Sequence, residues 1–351
     1  MADDRLSVYD RTGAMLDRLK ASFQFTEALN EFGQAEFTLA VSDAKCTERN
    51  LNPGNYVLYE HARLGQWAGV IAPNNGQGWN SDDTITTRCF SAEYQFHRRR
   101  APLNDVDAGG LLGFIHGTEG EIIERLIGYA NLKEDALLRN GNIWKGGGTR
   151  MVQLRYAMLN EPIAHILNRS GLQFWVTPYF EKKFLRFAVH LQPTRGSDSG
   201  FVLRERINME MPGGEHHRRD GTLVNDVVTG SKEGGPDSIG EAADMASRIK
   251  YGLWEGNEYV EGDSQAVAQA RADAIIAESS DLLEKDQVAA IESVECADTF
   301  AHIGLGDVVR VQKNSVRFYG STERYWSQGQ IISREWSNAA NKCILNLEKV
   351  A

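Results

Sequence analysis

One phrase is written twice in this chain, and that repetition limits what it can fold into. Residues 52–71 read NPGNYVLYEHARLGQWAGVI, and residues 304–332 read GLGDVVRVQKNSVRFYGSTERYWSQGQII. Gly54, Val57 and Tyr59 parallel Gly306, Val309 and Val311. Trp67, Gly69 and Ile71 parallel Trp326, Gly329 and Ile331, with one residue extra in the second copy. Alternating apolar residues broken by turn formers read as strand, loop, strand. A further strand follows each copy, TTRCF in one and NKCIL in the other. Two copies are too few for a solenoid, so the repeat predicts two related β-domains in one chain.

The surroundings of the first copy fit. SFQFTEALNEFGQAEFTLAV alternates at Phe23 and Phe25, turns near Asn30 to Gly33, and alternates again at Phe37, Leu39 and Val41, which predicts a hairpin. Thr84 to Phe96 alternates as well. Short strands with Asn/Gly-rich turns predict a sandwich or small barrel.

After HRRRAPLND the pattern changes. Thr118 and Glu121 have capping-box spacing ahead of a stripe at Ile122, Ile123, Leu126, Ile127 and Ala130. MVQLRYAML reads as a strand. NEPIAHILNRSG reads as a helix capped by Asn160, with Pro162 in its first turn and Gly171 after its end. LQFWVTPYFEKKFLRFAVHL reads as a hairpin turning between Pro178 and Lys183. Strands return with FVLRERINMEM and TLVNDVVTG, then a helix near 263–280 with Asp263 or Ser264 as its cap, then VAAIESVECAD, GDVVRVQ, QGQIISREW and NKCILNLEKV. The fold class expected is mainly β with an α+β insertion. Its segments are a first β-barrel-like domain over 1–102, an α+β middle over 103–208, and a second barrel-like domain over 209–351.

Composition excludes several function classes. The longest apolar run is far short of the ~20 residues of a membrane helix. The polar opening MADDRLSVYDRTG lacks a secretory signal, so synthesis in a cytoplasm is expected. Cys46, Cys89, Cys296 and Cys343 are scattered without CxxC pairs, which predicts thiols and no zinc site. A net charge of −10 argues against a grip on nucleic acid, where phosphate neutralisation supplies the affinity. It does suit a surface that DNA slides past without sticking.

Candidate chemistry is thin. His216 and His217 are adjacent, which on a strand sends them to opposite faces, so a solvated loop is expected there and no metal site. Asp263 and Ser264 read as capping residues, not a nucleophile. GSDSG (196–200) has Asp198 where a nucleophile elbow needs serine, and GLGDVV lacks the third glycine of a dinucleotide loop. Gly146 to Gly148 read as a turn. His97-Arg98-Arg99-Arg100 reads as a linker or a salt-bridging surface at a subunit contact. Trp67 and Trp326 read as core, whereas Trp79, Trp144 and Trp254 lie in Gly/Asn-rich surroundings that suit protein–protein contact. The carboxylate pairs Glu121/Glu124 and Glu292/Glu295 would serve a glycan hydrolase only if they converged across a cleft. The duller reading is a helix surface and one face of a strand. No catalytic, cofactor-binding or metal residue is expected.

FTEALNEFGQAEFTLAV, PGNYVLYE, QWAGVI and TRCFSAEYQFHRRR, followed in order by LVNDVVTGS, SRIKYGLWE, the alanine-rich helix and GLGDVVRV, resemble the tail hub proteins of long-tailed bacteriophages. That resemblance implies a non-enzymatic virion protein of the tail tip or baseplate, assembled in the host cytoplasm. It implies a homotrimer whose six related β-barrels match a sixfold tail tube to a threefold tip and surround a DNA exit channel. Implied partners are distal tail or tube proteins above, tip, spike or fibre proteins below, and a tape measure protein as a further candidate. Many such hubs extend into a peptidoglycan-cleaving or receptor-contacting region; here the sequence stops at Ala351, so such an activity is expected on a separate protein. Alternatives are the hub of a contractile injection device or tailocin, a cell-wall glycan hydrolase, and a carbohydrate-binding tail module.

Overall fold

The computed structural model describes residues 4–73, 77–79, 83–102, 114–154, 157–211, 217–220, 223–231, 239–260, 265–280, 283–313 and 325–350. Two compact units divide the chain: residues 1–212 with 287–350, and residues 213–286.

The larger unit opens with β1 (Arg5–Tyr9) and β2 (Met15–Leu19), then the hairpin β3 (Ser22–Ala28) and β4 (Gln34–Ala40). Phe23, Phe25, Ala35, Phe37 and Leu39 are buried in strict alternation, so the period-2 pattern in the sequence is the core face of this hairpin. A short helix α1 (Glu48–Leu51) capped by Thr47 leads to β5 (Tyr56–His61), β6 (Gly65–Ile71), β7 (Gln77–Trp79) and β8 (Thr84–Ser91). Tyr56, Val57, Leu58 and Tyr59 are all buried because β5 has a core on each face: Val57 and Tyr59 join one, Tyr56 and Leu58 the other. A continuous apolar run is what such two-sided burial demands.

After helix α2 (Tyr94–His97), the second core is supplied by β9 (Phe114–Gly117), α3 (Glu119–Leu132), β10 (Leu138–Ile143), β11 (Arg150–Gln153), α4 (Asn160–Ser170), β12 (Gln173–Glu181) and β13 (Phe184–Gln192). The capping box on α3 is present, with Thr118 and Glu121 each bonded to the other's backbone N–H. Asn160 is not a cap. It is the first residue of α4, and the preceding Leu159 makes no side-chain cap bond. Gly171 ends α4 at φ 65°, a left-handed conformation that glycine adopts without cost. The β12–β13 turn is tighter than expected: Glu181 pairs with Phe184, and Pro178 sits inside β12 opposite Phe187. β12 is the edge of the order β10-β13-β12, where a residue lacking an N–H is tolerated.

β14 (Asp198–Arg204) and β15 (Met209–Glu210) complete the first stretch of this unit. The smaller unit holds β16 (His217–Asp220), β17 (Asp226–Ser231), β18 (Ile239–Ala243), α5 (Met245–Tyr251), β19 (Glu255–Val260), α6 (Gln265–Ser279) and the start of β20 (Leu283–Ala290). Its sheet runs β18-β17-β19, with β17 and β19 parallel. Ala272 and Ile275 of α6 pack with Val227 of β17, and Gly240 lets the backbone of Ala268 approach so closely that a Cβ would lie 2.4 Å from its carbonyl carbon.

Back in the larger unit, β21 (Val308–Lys313), β22 (Tyr325–Ser337) and β23 (Lys342–Lys349) close the chain. The main sheet runs β15-β20-β23-β22-β3-β4-β8-β6-β5-β1-β2, with β21 on β22 and β7 on β8. The mainly β class is as expected. The two strand sets are joined through β22 and β3, and Phe23, Trp67 and Ile71 of the first share one core with Val309, Ile331, Trp336 and Leu345 of the second.

Candidate assembly interface: the repeated ladder and its seam

The two phrases fold into antiparallel strand pairs that share their glycine positions. Val57 pairs with Gly69 across β5–β6, and Val309 pairs with Gly329 across β21–β22. Gly54 and Gly306 hold φ of 92° and 91°, where L side chains are strained. The Gly54 N–H donates to the Ile71 carbonyl at 3.0 Å, and the Gly306 N–H to the Ile331 carbonyl at 2.9 Å. The Ile71 N–H returns to the Asn55 carbonyl at 2.8 Å, and the Ile331 N–H to the Asp307 carbonyl at 2.9 Å.

Register also corrects the sequence alignment. Trp67 pairs with Tyr59, but the position opposite Val311 belongs to Ser327; Trp326 stands opposite Gln312, one place out. The extra residue counted in the second copy is therefore this slip. Nor are Cys89 and Cys343 equivalent. Ile71 pairs with Cys89, whereas Ile331 pairs with Leu347. Carrying that register along β8 and β23 places Trp79 opposite Ile85 and Trp336 opposite Cys343, at matching points of the two ladders. Asp83 (φ 53°) and Asn341 (φ 48°) then mark the same left-handed turn position just before β8 and β23.

The seam between the copies is the antiparallel pairing of Ser333 to Ser337 with Ala28 to Gln24. Asn338 continues it, its N–H donating to the Phe23 carbonyl and its side-chain oxygen accepting from the Phe23 N–H. Trp336 fills the seam: its Nε1 donates to the Tyr59 hydroxyl at 3.2 Å, and its ring meets Phe300 and His61 edge-on. Arg334 is buried beside it and ion-paired to Glu27, with further bonds to the Leu64 and Ile303 carbonyls. Burial opposes the Arg334 cation, but Glu27, with smaller help from Cys343 and Asp307, outweighs it and raises its pKa. Burial pushes the Cys343 thiol up to about 12. His61 is held below its ordinary pKa by burial, while its Nδ1 accepts the N–H groups of Arg63 and Leu64.

No family model and no curated protein matches this sequence. Solved structures do match its shape. A 43 kDa tail protein of prophage MuSo2 from Shewanella oneidensis aligns over 98% of this chain and 97% of its own, at TM-score 0.58 and 10% identity. A tail protein from Neisseria meningitidis MC58 aligns over 99% and 96%, at 0.59 and 15%. The chain has the fold of phage tail proteins. The same tail-protein fold matches a chain of the Francisella PdpA-VgrG complex, over 99% of this chain and 52% of that one, at 0.53 and 9%.

Within this tail-protein fold the sequence's candidate residues are dispersed. Glu121 caps α3, which lowers its pKa, while Glu124 bonds Asn140 and Lys145. Glu292 pairs with Arg63, and Glu295 is exposed; both lie beyond the end of β20, not on one strand face. His217 begins β16; His216, Asp263 and Ser264 lie outside the described residues. Asp307 of the GLGDVV stretch holds loops, accepting from Gly304 and Ser197 N–H groups. Arg98 bonds Gln95, Arg99 pairs with Glu134, and His97 packs edge-on against Phe32. Trp144 and Trp254 are 39% and 53% exposed, and Gly146 lies against the Trp144 ring. The four cysteines are free thiols. Among the described residues, acidic, cysteine and histidine side chains form no cluster suited to a metal. Trp336 and Arg334, which the sequence did not single out, fill the seam between the copies.

Proposed function

We propose that this protein is a structural hub of a phage tail, a trimeric ring that closes the tail tube and matches its sixfold symmetry to a threefold tip. The observation that carries the reading is the doubled ladder: one chain supplies two copies of one strand arrangement joined head to tail. Three such chains would present six, and a ring needs contacts of this heterologous kind. On this reading 1–102 and 209–351 are the related copies and 103–208 is the middle α+β region. The likeness to phage tail proteins along nearly the whole chain supports it, as does the net charge of −10, which suits a DNA conduit that must not bind its cargo. Tube or distal tail proteins would sit above and a tip, spike or fibre below, in the virion. A structural role fits the carboxylates weighed for hydrolysis, of which Glu121 caps a helix and Glu124 and Glu292 are ion-paired.

A hub of a contractile injection device is the second reading, favoured by the match to the Francisella PdpA-VgrG complex. Light scattering on the purified protein, with negative-stain images of the same fraction, tests the ring. A trimer mass with a central hole is the expected result; a compact monomer at all concentrations overturns it.

A further inference from the structure

The order of the main sheet contains one succession twice. β15-β20-β23-β22 is followed directly by β3-β4-β8-β6, with β21 and β5 as the matching partners of β22 and β6. Within the chain, the second half of β22 receives β3. Its counterpart in the other copy is β7, because Gln77 to Trp79 pair with Thr87 to Ile85 as Arg334 to Trp336 pair with Leu345 to Cys343. Yet among the described residues β7 pairs with β8 alone. The counterpart of β3 is the strand antiparallel to β20, of which Met209–Glu210 and His217–Asp220 are described. Among the described residues one seam is thus made and two half-seams are left over, one at β7 and one at β16. An edge strand presents a row of N–H and C=O groups ready to pair.

From this mismatch we infer that the outer edge of β7 is the docking strand for a second copy of this chain, pairing antiparallel with the neighbour's β16 as β22 pairs with β3. The occupant is a second copy because the chain itself shows what fills this edge: the internal seam is the template. The contact is heterologous, one edge in and the other out, so it propagates from chain to chain until it closes. This rests on the ring reading above and names the surfaces that make it.

The test uses the full chain. Successive N–H groups of an antiparallel strand point to alternate sides, so one of Gln77→Pro and Gly78→Pro removes an outward donor. Wild type and both variants are sized by light scattering at matched concentrations, with circular dichroism melts as the folding check. The expected result is an oligomer for wild type, and a monomer with an unchanged melt for one variant. A wild-type oligomer that persists in both variants overturns the edge assignment and leaves the ring standing. A wild type that stays monomeric overturns both. Should both variants misfold, hydrogen exchange on wild type decides: amides of 77–79 and 217–220 should slow by about tenfold or more in the oligomer relative to the diluted monomer. Equal exchange overturns the assignment.

Discussion

Arg334 brings a charge to a position 6% exposed, and Glu27 is the group that compensates it. Removing one partner of a buried pair leaves the other desolvated and uncompensated, which costs far more than removing both. Arg334→Ala should therefore destabilise the protein by about 3–5 kcal/mol, and the double variant Arg334→Met/Glu27→Leu by clearly less; urea unfolding of the single and double variants reads the difference. His61 sets a pH limit. Its folded pKa lies below the unfolded value of about 6.5, so its contribution is present above that pH and is lost as pH falls through the folded value. Protonating Nδ1 also breaks the two bonds from Arg63 and Leu64. An NMR titration should place His61 below the free imidazole value, with the urea midpoint falling over the same acid range; a pKa at or above 6.5 would contradict this.

The matched hairpins differ in how tightly each glycine is used. A Cβ on Gly69 would lie 2.1 Å from the Phe90 carbonyl oxygen and 2.6 Å from the Trp67 ring, whereas one on Gly329 would meet the Leu347 Cβ at 3.1 Å. Gly69→Ala should cost at least about 2 kcal/mol and Gly329→Ala about 1 kcal/mol or less, compared by thermal melts. These hairpins also show what the sequence discloses. Phe23/Phe25 and Phe37/Leu39 announce their strands because burial on one face forces period 2. The repeat was legible through Gly54 and Gly306, since a left-handed turn demands glycine in both copies. Its register was not, because tryptophan draws the eye while the ladder is keyed on Gly69 and Gly329. The equivalence of Trp79 and Trp336 was hidden because the sequence puts more residues between Ile71 and Gln77 than between Ile331 and Arg334. Asn160 looked like a cap because capping depends on φ, ψ at one residue, which composition does not report. The unit at 213–286 was invisible since its boundary falls inside the strand β20 rather than in a linker.

At the scale of the molecule, the ladder explains where extra chain can be accommodated. In the first copy the β3–β4 turn takes residues 29–33; the matching turn of the second copy, between β16 and β20, carries residues 221–282. Asp220 and Leu283 are cross-strand partners, so the two ends of that excursion lie about 5 Å apart. Replacing 221–282 by the pentapeptide Leu29–Gly33 of the same chain should leave the larger unit folded, seen as an unchanged main unfolding transition in calorimetry. A collapsed transition would show that the ladder depends on the excursion. The hairpin tip thus works as a socket. A module plugged in through neighbouring ends can be lengthened, exchanged or lost by a lineage while the strand order around it is inherited intact, so the two parts of one gene can evolve at different speeds.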